Sequence, residues 1–88
     1  MKVNYLGTQH LDFVPKDKSE SDRVQGVKLW FCFDDSHSRN WTGKTVDSIF
    51  VRASDPLYDL AKVICNDFEP IYEYVGRYPR LVDFKLSD

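Results

Sequence analysis

Apolar side chains alternate along residues 25–33, Gln-Gly-Val-Lys-Leu-Trp-Phe-Cys-Phe, and this predicts a strand with two unlike faces. Successive side chains of a strand point to opposite sides, so Val27, Leu29, Phe31 and Phe33 form a core-seeking face while Lys28, Trp30 and Cys32 look the other way. A tryptophan beside a lysine on the non-core face is partly exposed packing, is covered by another element, or is offered to a ligand. Much of any folded surface is apolar, so the first reading stands beside the last.

The rest of the chain takes its place around this strand. Residues 2–14 alternate well enough for one long strand, broken by a bend or bulge at Gly7-Thr8 and stopped by Pro15. Residues 16–23 contain no apolar side chain and mixed charge, which predicts a mobile, solvated loop. Residues 34–40 are dense in turn formers and close a hairpin, after which a third strand runs from about Trp41 to Arg52. Its alternation slips near Gly43 and around Asp47-Ser48, as at a bulge or in a strand covered on both faces. Ser54-Asp55-Pro56, followed by Leu57, Leu60, Ala61 and Ile64 at three- and four-residue steps, predicts a capped helix over about 56–66. Residues 68–75 read as a fourth strand with Pro70 at an edge or bulge, Gly76-Arg77-Tyr78-Pro79-Arg80 as a turn, and residues 81–86 as a fifth strand.

Three strands, a short helix and two strands in 88 residues make one domain, residues 1–88. Short strands leave edges that need closing, and the element order fits a mainly β, five-stranded OB-like Greek-key barrel with the helix between strands 3 and 4. An SH3-like barrel or an open α+β sheet satisfies much of the same pattern. Thirteen aromatic residues are many for this length and call for burial or a partner. No apolar run approaches the roughly 20 residues of a membrane span and the first residues lack a signal-peptide core, so a cytoplasmic protein is expected. Cys32 and Cys65 have no metal-ligand spacing and read as two reduced, largely buried thiols.

Enzymatic chemistry lacks its parts. The chain has no Gly-rich phosphate loop, no Gly-x-Ser-x-Gly and no His-Glu-x-x-His, and only two histidines, so no catalysis and no cofactor are expected. Asp34, Asp35 and His37 in one turn are a poor warrant for a metal. Binding fares better. In an OB barrel the oligonucleotide face is built from strands 2 and 3 with flanking loops. Those places hold Lys28, Trp30, Trp41 and Lys44, the loop cations Lys16, Lys18 and Arg23, and the hairpin residues Arg77, Tyr78 and Arg80, with Tyr72 and Tyr74 extending a platform along strand 4. Rings interleaved with cations suit single strands, since bases stack on the rings while Lys and Arg neutralise phosphates. Each residue has a plainer role as well: Trp41 as a staple of the barrel end, Tyr72 and Tyr74 as cross-strand packing, Arg77 and Arg80 as solubilising edge charges. The net charge of -2 does not advertise nucleic acid. Asp34, Asp35, Asp47 and Asp83 would repel a phosphate backbone if they shared the face.

The run Arg23-Val-Gln-Gly-Val-Lys-Leu-Trp30 and the ending Val75-Gly-Arg-Tyr-Pro-Arg-Leu-Val-Asp-Phe-Lys-Leu86 resemble small proteins of phages and conjugative elements, and the chain is similar in length and ending to the filamentous-phage single-stranded-DNA-binding protein. The likeness covers roughly a quarter of the chain. It implies an OB-like barrel that dimerises and covers single-stranded DNA, with Gln25, Lys28 and Trp30 near the nucleic-acid arm and Arg77, Tyr78 and Arg80 on the terminal hairpin. The helix and the negative charge depart from that pattern. The same origin suits a small protein that binds a host or phage protein to inhibit or recruit it, with the aromatics as hot spots. A homodimer is compatible with either.

Overall fold

The computed structural model describes residues 2–34, 40 and 42–86. Strands β1 (Asn4–Phe13), β2 (Val24–Asp34) and β3 (Lys44–Arg52) form an antiparallel sheet in that order. The helix α1 (Tyr58–Val63) follows, and β4 (Phe68–Val75) and β5 (Tyr78–Leu86) make a separate antiparallel hairpin. The protein is therefore mainly β, with five antiparallel strands in two sheets. Among the described residues no closed barrel forms. The first sheet meets the hairpin through one bridge, in which Val3 and Phe68 exchange backbone hydrogen bonds of 2.7 and 3.2 Å. No described helix is long and apolar enough to cross a membrane.

The inner face of the sheet follows the alternation of β2. Val27, Leu29 and Phe31 are buried, joined by Val3 and Val51, and covered by Ala61 and Ile64 from the helix segment and by Phe68 and Phe84 from the hairpin. Burial of each large side chain contributes roughly 1.5–3 kcal/mol. Phe68 is fully buried, its ring set edge-on to Phe31 at 5.8 Å and to Phe84 at 5.6 Å between centroids. It is the joint between the two sheets.

Several boundaries differ from the sequence reading for identifiable reasons. The helix is shorter than 56–66, spanning Tyr58–Val63. At its start the Asp55 carboxylate accepts the Leu57 N–H at 2.8 Å, which keeps Pro56 in a turn ahead of the helix. At its end Ile64 turns extended (φ -68°, ψ 124°) and enters the core. That reversal leaves Cys65 exposed, against the expectation of two buried thiols; Cys32 is buried and both are free. The fifth strand begins at Tyr78 rather than residue 81, because Gly76 at φ 64° lets Gly76-Arg77 close the hairpin in two residues. Residues 16–23 are not wholly irregular: Glu20–Asp22 form a 3-10 turn, and Arg23 clamps Glu20 and Asp12.

The bulge predicted in β1 lies between Tyr5 and Gly7, one or two residues ahead of Gly7-Thr8. β3 begins at Lys44 instead of about residue 41, and its register with β2 is unbroken from Lys44 to Arg52. Its mixed apolar pattern arises because Ile49 and Val51 face the core while Val46 and Phe50 lie on the opposite, uncovered face.

Gly26 on β2 has a steric purpose. A Cβ there would stand 2.3 Å from the Val51 carbonyl oxygen and 2.8 Å from the Phe50 ring. Gly26→Ala is expected to lower stability by roughly 1–3 kcal/mol, the cost of an overpacked site, in a urea melt. Gly7→Ala provides the contrast, since a Cβ at Gly7 meets nothing within 4 Å; its change should stay within about 0.5 kcal/mol.

Candidate nucleic-acid interface

Pairing register assigns every side chain of the sheet to a face. Lys28 lies opposite Gln9 and Phe50, Trp30 opposite Gly7 and Ser48, Gly26 opposite Leu11 and Arg52, and Asp34 opposite Lys44. These residues share the face turned away from the core, and no described helix or strand packs on it. Phe50 is 36% and Val46 58% exposed, so the face presents apolar surface to solvent.

Trp30 sits near its centre, half-buried. Its indole N–H donates to Gln9 Oε1 at 3.2 Å, and the Lys28 Nζ stands 4.9 Å from the ring centroid, within cation–π reach. Among the described residues nothing from another layer covers the ring; its own neighbours orient it. Directly across, Gly7 leaves open space where any other residue would project a side chain. The indole therefore borders a patch of backbone that carries no side chain at Gly7.

Charge on this face is one-sided. Lys28, Lys44 and Arg52 occupy outward positions of β2 and β3, against the single acid Asp34. Asp47, one of the acids that would have opposed a phosphate backbone, lies on the other face opposite Phe31. Asp83 belongs to the hairpin, and Asp35 lies outside the described residues. Among the described residues the acids near this surface, Asp34 on the face and Asp67 at its edge, gather at the Lys44 end, away from Lys28 and Trp30.

The sequence-predicted site divides into two groups. Lys28 and Trp30 are brought together, with Lys44 at the far end of the same face, its Nζ donating to Asn4 Oδ1 at 3.0 Å. Tyr74, Arg77, Tyr78 and Arg80 lie on the hairpin, whose foot packs against the opposite side of the sheet. There Tyr74 shares a face with Tyr72, while Tyr78 pairs with Val75 and Arg80 with Glu73 on the other face. Trp41 lies outside the described residues, as does His37 of the weak metal reading. Among the described residues no three His, Cys, Asp or Glu side chains gather as a metal site. Arg23 is not a spare cation, because its guanidinium is engaged by Asp12 and Glu20, whose carboxyls its hydrogen bonds hold below the usual range. Lys16 and Lys18 are exposed in the same segment.

Sequence reasoning missed Gln9, Phe50 and Arg52. Phe50 was legible only as part of a broken alternation, and its place beside Lys28 emerges once strand register is known.

One carboxylate fixes the edge of this face. Asp67 accepts the Tyr5 backbone N–H at 3.0 Å and the Asn4 side-chain amide at 3.1 Å, and Asn4 in turn holds Lys44. The Tyr5 bond foremost, then Asn4, with the charges of Lys2 and Lys44 adding, keeps the Asp67 carboxyl below its usual pKa. A depressed carboxylate contributes stability above its unfolded pKa and loses it as pH falls through the folded value. Stability should therefore decline from about pH 4 downward, and Asp67→Asn should flatten that decline in melts recorded between pH 7 and pH 2.5.

Compared with protein-family models, with curated proteins and with solved structures, the chain matches none.

Proposed function

We propose that this chain is a non-catalytic single-stranded nucleic-acid-binding protein of phage or mobile-element type, and that the open face of β1–β2–β3 is its binding surface. The observation that carries the reading is the face, uncovered among the described residues, on which Trp30 and Phe50 lie among Lys28, Lys44 and Arg52, with Asp34 and Asp67 at its Lys44 end. Bases stack on rings of either kind, and the cations meet the backbone. The Lys28 ammonium over the indole is a group that a base can displace toward a phosphate.

The strand arrangement supports an OB-like fold left open. The isolated bridge from Val3, just ahead of β1, to Phe68 at the start of β4 sets β4 next to β1, the neighbour relation that closes a Greek key. The hairpin favours a second contact, with another protein or a second copy of the chain. Tyr74 and Tyr78 are 73% and 77% exposed, and Val75 62%. The foot of the hairpin is held in the core by Phe68 and Phe84, and a homodimer contact at its exposed end is part of this reading.

Binding of labelled oligo(dT) across a salt series tests the function. Each phosphate contact contributes a slope of about -0.7 to the plot of log affinity against log salt. Two to three contacts from Lys28, Lys44 and Arg52 give about -1.4 to -2.1. Affinity that is absent at low salt for both DNA and RNA would leave the protein-binding alternative, a small protein that inhibits or recruits a host or phage protein, as the remaining reading.

A further inference from the structure

The side of the sheet opposite Trp30 carries an anomaly of its own. Asp47 occupies a core-facing position of β3, in line with Thr45, Ile49 and Val51 and directly opposite Phe31. It stands at the mouth of a cleft of about 300 Å3 between the sheet and the foot of the hairpin, lined by Val3, Phe31, Phe33, Asp47, Pro70 and Tyr72. Val3 and Phe31 form a buried floor, and Phe31 is braced from behind by Phe68. Phe33 and Tyr72 stand further out, Phe33 with its ring tilted 31° to that of Phe31 at 6.2 Å and Tyr72 half exposed.

Asp47 is the only charged residue lining this cleft, and among the described residues no cation pairs with it. One of its oxygens accepts the Ser48 N–H at 2.7 Å, and the other has no partner among the described residues. Three aromatic rings with a lone carboxylate at the rim are complementary to a cation on an apolar stem: ring faces attract the charge and the carboxylate pairs with it. The same carboxylate repels a phosphate backbone. The apolar surface also continues outward, since Tyr72, Tyr74, Pro79 and Leu81 share one face of the hairpin. A free amine would leave that strip uncovered, whereas main chain flanking a basic side chain would lie along it.

We propose that this cleft seats the basic side chain of a partner polypeptide, its stem against Phe31, Phe33 and Tyr72 and its charge paired with Asp47. The site lies across the sheet from Trp30 and stands or falls independently of nucleic-acid binding.

Two-dimensional NMR of the full chain, titrated with the peptide acetyl-Ala-Lys-Ala-amide, its norleucine counterpart and n-butylammonium chloride, tests it. Saturable shifts confined to Phe33, Asp47, Tyr72 and their neighbours are expected from the lysine peptide, with about tenfold weaker binding by norleucine. Asp47→Asn, which keeps the Ser48 bond, should produce a similar loss in a chain whose other resonances are unmoved; Tyr72→Leu gives a second, independent reading. Equal binding of the lysine and norleucine peptides, or no shift at millimolar peptide, overturns the site. Butylammonium binding as tightly as the peptide overturns the polypeptide as its source, and the same resonances moving with oligo(dT) instead would assign the cleft to nucleic acid.

Discussion

Phe68→Ala is expected to lower the unfolding free energy by about 3–5 kcal/mol, the usual cost of emptying a buried phenylalanine site. For a domain whose total stability is roughly 5–15 kcal/mol, that is a large share. The expectation rests on position as much as size. Phe68 has no exposed surface, packs edge-on against Phe31 of the sheet and Phe84 of the hairpin, and gives both its backbone groups to the one bridge that the described residues form between them. Removing its ring leaves a void that neither sheet can close, because Phe31 and Phe84 are anchored in separate strands. The hairpin, marginal alone, should lose its hold first. Urea melts give the free energy and hydrogen exchange locates it: faster exchange in β4–β5 than in β2 is the expected pattern. A loss under about 1 kcal/mol would mean that Phe68 is not the joint described above.

Trp30→Ala is expected to weaken binding of oligo(dT) by about 1–3 kcal/mol, or roughly five- to 150-fold, the contribution of one stacked base. Stability should change little, since the indole lies on the uncovered face and its N–H bonds only the Gln9 side chain. Trp30→Phe keeps a ring and should retain most of the affinity. Lys28→Ala should act differently, lowering the salt slope by about 0.7 as one phosphate contact disappears. Should Trp30→Ala bind as tightly as the unaltered chain, stacking on this ring is not how the protein holds its ligand.

Strand β2 was legible in the sequence because its alternation is nearly perfect, and the structure sets Val27, Leu29 and Phe31 inward as that pattern requires. The existence and order of all five strands and the helix followed from similar local signals. Boundaries did not, because backbone conformation and burial fix them: Ile64 leaves the helix to reach the core, and Gly76 takes a left-handed φ that shortens the turn. Barrel closure was not legible either. It depends on how far β4 runs beside β1, and one bridge at Val3 and Phe68 is all that the described residues form. For the site, Lys28 and Trp30 could be placed by strand parity alone. Gln9, Phe50 and Arg52 come from other strands and needed the register. Asp47 would oppose a phosphate backbone only on the Trp30 face, and its pairing with Phe31 puts it across the sheet.

The central claim is that the Trp30 indole meets a nucleic-acid base on an open sheet face. A chain carrying Trp41→Phe leaves Trp30 as its sole tryptophan. On adding oligo(dT) at low salt its fluorescence is expected to be quenched saturably, and the quenching to reverse as salt is raised. Indole emission unchanged by saturating single-stranded DNA and RNA would contradict the account.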